Sequence, residues 1–278
     1  MPTDAISCLF EHIGIRAEAF FAGPLCGLHD FGAAEGVGHL HVIRSGSLRV
    51  THGEKADIEV TEPSFVFYAR AMNHRLTIRD SATADVVCAT VRYDVGRYNA
   101  ITQSLPPVLV VPLAAVPRLV ATLAVLFAEA DDDRPGRKAM LDRLCEILVI
   151  QIVRFVVDTG LVDRGVLAGL SHPRLAKLLA ALLAEPTKPW TVPSMAARSH
   201  LSRNAFTREF GKVVGRTPAD FLADVRIALA QRLLRKGRPL ANVAEEVGYH
   251  SQSAFSRAFI RKVGRGPTHW LQDPVPSD

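Results

Sequence analysis

The chain is predicted to be a multidomain α+β protein in three parts. These are a small β-sandwich or barrel over residues 1–110, a helical hairpin over 111–170, and an all-α segment over 171–278. Three observations predict this. Apolar and polar positions alternate in short runs from 37 to 93, the period of half-buried strands. From about Leu113 the apolar spacing changes to i, i+3, i+4 and i+7, the period of amphipathic helices. Near the C-terminus one ten-residue pattern occurs twice, 49 positions apart. A chain of 278 residues has material for two or three such domains.

The strand runs are Leu40–Ile43, Ser47–Thr51, Ile58–Val60, Phe65–Tyr68, His74–Ile78 and Asp85–Val91. Turn dipeptides such as Ser45-Gly46, His52-Gly53 and Glu62-Pro63 separate them, a spacing suited to a sandwich or barrel. Helices are predicted over Pro117–Ala130 and Arg137–Asp158, broken by Asp131-Asp132-Asp133-Arg134-Pro135-Gly136. Leu141, Leu144, Leu148, Ile152, Phe155 and Val156 give the second helix a wide apolar face. Such a face needs a partner surface, so homodimerisation through the hairpin is expected, with burial inside the monomer as the alternative.

The C-terminal segment opens near Ser171-His172-Pro173, with a first helix over Arg174–Ala184 and Thr191 capping the next. Leu201–Phe210, closing with Val214, Gly215 and Pro218, recurs as His250–Phe259, closing with Val263, Gly264 and Pro267. Ser, Ala, Phe, Arg, Phe, Val, Gly and Pro recur in place. Amphipathic segments Val192–Arg198 and Leu240–Val247 precede the two copies, which gives two helix-turn-helix units at about 191–214 and 239–263. Pro218–Lys236 reads as one long connecting helix stopped by Gly237 and Pro239.

Ser202 and Ser251 suit N-caps, because a serine oxygen can accept from the orphan amides of a first turn. Phe206 and Phe210, like Phe255 and Phe259, are four apart and share an inward face. The opposite face of the first copy carries Ser202, Arg203, Asn204, Thr207, Arg208 and Lys212. That of the second carries Ser251, Gln252, Ser253, Ser256, Arg257, Arg261 and Lys262. The major groove of double-stranded DNA admits a helix, and Arg, Asn and Gln pair bidentately with base edges. Arg203, Asn204, Thr207 and Arg208 are expected to read one groove and Gln252, Ser253, Ser256 and Arg257 the next. Lys212, Arg261 and Lys262 are expected on phosphates. A merely solvated helix face is the alternative for either helix alone. Charge supports the DNA reading: Trp190–Asp278 holds 14 Lys and Arg against 7 Asp and Glu, whereas the remainder holds 19 against 21.

Cys8, Cys26, Cys88 and Cys145 are scattered without a C-x-x-C pair, which argues against a disulfide framework. No basic, apolar leader opens the chain, and its most apolar stretch, Ile147–Val157, carries Gln151 and Arg154 and is too short to span a bilayer. A cytoplasmic protein without a membrane partner is expected.

The repeat resembles the AraC family of bacterial transcription regulators over about Arg174–Leu271. The residues carrying the resemblance are Phe206-x-Arg208-x-Phe210 and Phe255-x-Arg257-x-Phe259, the Gly-x-x-Pro closures at Gly215 and Gly264, Arg226-x-x-x-Ala230-x-x-Leu233-Leu234, and Val243-Ala244 before Gly248-Tyr249. The resemblance implies a monomer covering two adjacent major-groove segments, used as a dimer at promoters to activate or repress transcription, with RNA polymerase as a further partner. The N-terminal part is similar to the cupin-type sensor domain of many such regulators, through Leu25-Cys26-Gly27, Gly38-His39-Leu40-His41, Arg44-Ser45-Gly46, Glu62-Pro63-Ser64, Asn73-His74-Arg75 and Val87–Val91. Metal-binding cupins add a glutamate after the His-x-His pair, and here Arg44 and Ser45 stand in its place.

His39 and His41, at i and i+2 on a strand, share a side. With His74 and Cys26 they form a candidate N and S donor set for Zn or a similar transition metal. The alternative is histidines hydrogen-bonded within a barrel. Cys26 and Cys88 form a candidate redox pair for an oxidant sensor, against the alternative of small buried hydrophobes. The expected function is therefore sequence-specific transcription regulation controlled by a small-molecule, metal or redox signal from an unidentified effector. The rival is a cupin-type metalloenzyme fused to a DNA-binding segment. No nucleophile elbow, phosphate loop or zinc-protease motif supports the rival.

Overall fold

The computed structural model describes residues 4–34, 36–53, 56–79, 82–94 and 99–272. Helix α1 (Ala5–Ile13) leads through Gly14 into strands β1 (Ile15–Leu25), β2 (Leu28–Phe31), β3 (Val37–Ser45), β4 (Leu48–Thr51), β5 (Ile58–Val60), β6 (Ser64–Tyr68), β7 (His74–Thr77) and β8 (Ala84–Tyr93). Helix α2 (Ala100–Ser104) precedes β9 (Leu109–Pro112). The rest is helical: α3 (Val120–Ala130), α4 (Arg137–Thr159), α5 (Val166–Ser171), α6 (Ala176–Ala184), α7 (Val192–Arg198), α8 (Arg203–Val214), α9 (Pro218–Arg235), α10 (Leu240–Glu246), α11 (Gln252–Val263) and α12 (Pro267–Gln272).

The chain divides into two compact units, and not at the boundaries expected from sequence. One joins Ile15–Arg97 to Ile101–Thr159; the other joins Met1–Gly14 and Tyr98–Ala100 to Gly160–Asp278. The helical hairpin thus belongs with the strands. Helix α1 belongs with the C-terminal helices, because Cys8, Leu9 and Ile13 on its apolar face are buried and α1 packs on α6 and α9.

In the first unit two antiparallel sheets, ordered β1-β8-β3-β6-β9 and β2-β7-β4-β5, face each other as a cupin-like sandwich. Leu25, Ile43, Val66, Val86 and Cys88 of the larger sheet meet Leu48, Val50, Val60 and Leu76 of the smaller in one core. The runs read from 37 onward are all present, but β1 and β2 were not anticipated. Strand β1 conceals its period: Ala, Gly and Pro interrupt it, and a bulge between Ala19 and Phe21 shifts the register against β8. The Ala19 amide donates to the Asp142 carboxylate at 2.7 Å, which pins α4 to this bulge.

Helix α4 packs on β1 and α3, and Leu141, Leu144, Leu148, Ile152 and Val156 are buried there within the monomer. The apolar face expected to seek a second subunit is therefore already covered. Arg137 donates to the carbonyls of Glu129 and Ala130 and closes the end of α3. Arg44, in the place of the cupin glutamate, pairs with Asp85 and Asp131 and lies 5.1 Å from the centre of the Phe127 ring. The residue that displaces a metal ligand is thus an anchor between β3, β8 and the hairpin.

In the second unit both predicted serine caps form. Ser202 and Ser251 accept from the amides of Ala205 and Ala254 at 3.4 and 3.2 Å. Each recognition helix ends at a glycine in the left-handed region, Gly215 at φ 80° and Gly264 at φ 87°, where a β-carbon would be strained. Phe206, Phe210, Phe255 and Phe259 are fully buried, paired edge to face at 5.5 and 5.6 Å. Phe221 of α9 meets Phe210, while Ile227, Ala230 and Leu234 of the same helix pack with Phe255 and Phe259. The connector is thus shared between the cores of the two helix-turn-helix units.

Candidate nucleic-acid interface and sensor interior

Burial of the phenylalanine pairs fixes which sides of α8 and α11 face outward. Ser202, Arg203, Asn204, Thr207, Arg208 and Lys212 are exposed on the first recognition helix. Ser251, Gln252, Ser253, Arg257 and Arg261 are exposed on the second, with Ser256 half-buried beside them. The Thr207 hydroxyl donates to the Arg203 carbonyl at 3.0 Å. The Ser251 and Ser253 hydroxyls lie 3.2 Å apart at the start of α11.

Lys262 departs from its expected place. Its side chain is only 18% exposed and its ammonium donates to Asp224 at 2.8 Å, with Asp220 at 3.5 Å. One position beyond the open face, it turns toward the acidic side of α9, a contact that sequence spacing along α11 alone could not show. Arg226, part of the sequence motif, also faces inward. It donates to the carbonyls of Pro186 and Lys188 at 2.8 and 3.0 Å and lies 5.8 Å from the Tyr249 ring centre, fastening the approach to α7 against the second unit.

The sandwich interior gathers His39, His41 and His74, as the strand register predicts. His41 pairs with Cys88 across β3 and β8, and His39 with Tyr68 across β3 and β6. Their hydrogen bonds determine each proton. His74 Nδ1 lies 2.8 Å from the Met72 carbonyl, which can only accept, so Nδ1 carries hydrogen and Nε2 of the neutral ring accepts. His41 Nε2, 2.9 Å from His74 Nε2, must then donate, and its Nδ1 accepts the Cys88 thiol at 3.1 Å.

All three rings are held neutral. Burial pushes His74 down to about 4, and burial followed by the neighbouring His74 and His39 drives His41 well below the ordinary imidazole value. Burial also lowers His39 and raises the Cys88 thiol, with Cys145 adding to the latter. The His74 ring is stacked between Tyr68, at 3.9 Å and 19°, and Phe31, at 5.0 Å and 12°. Tyr68 Oη, His39 Nδ1 and His52 Nδ1 are buried there without a hydrogen-bond partner in the protein. His52 and Tyr68 were not singled out from sequence. His52 lay in a turn signal, and only the folded sheet brings it within 6.4 Å of the tyrosine ring.

The expected metal set is not assembled. His41 and His74 meet Nε2 to Nε2 at 2.9 Å, and Cys26 is exposed at the turn after β1, away from them. Among the described residues no group of three His, Cys, Asp or Glu side chains is arranged to hold a metal ion. These residues as they stand do not fit a metal centre. Cys26 and Cys88 are not together either. Phe21 is the partner of Cys88 on β1, and five further residues of extended chain span roughly 16 Å, beyond disulfide reach.

Residues 4–158 match the cupin family, and residues 195–273 match a helix-turn-helix domain family. The chain is 31% identical over 239 residues to the RCS-specific HTH-type transcriptional activator RclR of Escherichia coli (strain K12), covering 81% of this chain and 82% of that one. It is 26% identical over 251 residues to the HTH-type transcriptional regulator MtrA of Neisseria gonorrhoeae, with the same two coverages. Over 121 residues it is 39% identical to the HTH-type transcriptional regulator AlkR of Acinetobacter baylyi (strain ATCC 33305 / BD413 / ADP1), covering 43% of this chain and 40% of that one. None of the described helices is long and apolar enough to cross a membrane. With its cupin domain and paired helix-turn-helix units, the chain belongs to the AraC-type family of DNA-binding transcriptional regulators.

Proposed function

We propose that this regulator acts in the cytoplasm as a signal-responsive, non-enzymatic switch. Its two exposed recognition faces read consecutive major-groove segments, and the sandwich interior receives the signal. The observation that carries the sensor reading is the set of orphaned buried atoms, His39 Nδ1, His52 Nδ1 and Tyr68 Oη, around one histidine cluster. Leaving such groups unpaired costs about 1–3 kcal/mol each, so a small guest with its own donors and acceptors gains by pairing them. Binding as a homodimer and delivery of RNA polymerase to promoters complete the reading. Val120, Val125, Met140 and Ile147, exposed on α3 and α4, supply an apolar surface for the dimer.

The DNA assignment is tested on the operators recovered by mapping genomic binding sites. Asn204→Ala is expected to cost about 1–3 kcal/mol and to relax preference at one or two base pairs. Arg261→Ala is expected to weaken all sequences alike and to lower the salt slope by about 1. Wild-type binding by both variants would remove these roles.

A second reading is favoured by the Cys88 contact. The thiol donates to the His41 imidazole, and hypochlorous acid would transfer its chlorine to the sulfur, the thiol proton leaving with hydroxide as water, to give a sulfenyl chloride that water converts to the sulfenic acid with release of chloride and a proton. A relative matched over most of the chain is named as an RCS-specific transcriptional activator. Cys88→Ser is then expected to abolish the change in operator affinity produced by hypochlorite, and an unchanged response would discard this reading while leaving the small-molecule one standing.

A further inference from the structure

The turn that follows α8 and the last turn of α11 are tied to one carboxylate. Arg216, in the turn where the first helix-turn-helix ends, pairs with Asp224 Oδ2, two turns into the connector α9. Lys262, in the last turn of α11, donates to Asp224 Oδ1 at 2.8 Å and to the Asp220 carbonyl at 3.4 Å. One oxygen of Asp224 therefore holds each unit. The three side chains are 32%, 20% and 18% exposed, so the triad is partly shielded from water.

We propose that Asp224 is a positioning residue that sets the separation and twist between the two DNA-reading helices. Each unit joins α9 mainly through apolar contacts, Phe221 against Phe210 in one and Ile227, Ala230 and Leu234 against Phe255 and Phe259 in the other. Such contacts decide which faces meet, but the hydrophobic effect behind them is non-directional. Charge-assisted hydrogen bonds are directional and lock the angle. Two helices that enter successive major grooves must present their bases about 34 Å apart, so a small roll of either about α9 misplaces it.

The proposal rests on the reading of two consecutive grooves. Its test separates the two ideas. Full-length wild type and Asp224→Asn are each used to enrich a random-sequence duplex library, and the recovered motifs are compared. Wild type is expected to give two half-motifs at a single separation. Asp224→Asn is expected to keep both half-motifs while spreading their separation over 1–2 base pairs either way, and to bind the wild-type consensus about tenfold more weakly. A single unchanged separation in Asp224→Asn would overturn the proposal. Absence of a bipartite motif from wild type would instead overturn the paired reading beneath it.

Lys262→Gln breaks one arm alone and decides the matter should Asp224→Asn fail to fold. Spread spacing with an unchanged salt slope supports the positioning role. A lower salt slope with unchanged spacing makes Lys262 a phosphate contact and overturns it.

Discussion

Phe255→Ala is expected to destabilise the C-terminal unit by about 3–5 kcal/mol and to abolish binding by its second helix-turn-helix. The ring is fully buried, edge to face with Phe259 at 5.6 Å and with Tyr249 at 5.6 Å. Its removal leaves a cavity in the core it shares with Val243, Val247, Ala258 and Trp270, and close-packed surroundings relax only partially into such a space. A loss of this size is a large part of the roughly 5–15 kcal/mol that holds an ordinary domain folded. Phe206→Ala should act equally on the first unit, because the repeat places it in the same setting. Phe255→Leu, which leaves much less space, should cost clearly less. Urea unfolding followed by helix content measures all three, and a cost below about 1 kcal/mol for Phe255→Ala would contradict the packing described.

The second large effect is on pH dependence. His74 titrates at about 4 in the folded protein, against an ordinary 6.5, chiefly because burial disfavours its charged form, while its bond to Met72 opposes the shift. Its folded value is depressed, so the unfolded chain takes up the proton first on acidification. The stability contributed is complete above pH 6.5 and is lost as pH falls toward 4. The loss is about 1.4 kcal/mol per pH unit, or roughly 3 kcal/mol in all. His39 and His41 are shifted in the same direction and steepen the decline. In chelator-treated protein, His74→Gln keeps a donor and an acceptor but cannot titrate. The difference in urea stability between pH 7.5 and 4.5 is expected to shrink by about 2–3 kcal/mol in this variant. An undiminished difference would show that His74 is not the buried neutral ring described.

Much of the DNA-binding half was legible without coordinates because its determinants are local. A serine cap, phenylalanines four apart and a closing glycine act within a dozen residues, so the outward faces of α8 and α11 followed from spacing. The cupin half was legible only as alternation. Strands β3 to β8 obey it, whereas β1 hides behind a bulge that Asp142 stabilises from a helix far along the chain. The convergence of His39, His41 and His74 was anticipated, but not the proton order that links His74 and His41 in a hydrogen-bonded chain ending at Cys88, since that order begins at the Met72 carbonyl. The sequence offered Cys26 and Cys88 as a pair, although only Cys88 fell within a predicted apolar strand. Position relative to the end of β1 left one thiol outside and one within.

By itself the sequence determined that two equivalent cationic helices would be displayed on a shared connector, because capping and helical periodicity act over neighbouring residues. Tertiary structure alone decided that α1 joins the C-terminal unit, that the hairpin's apolar face is covered by β1, and that Lys262 turns to Asp224 instead of the open face. Those outcomes depend on which distant surfaces exclude water together, and burial of that kind is set by the whole packed chain.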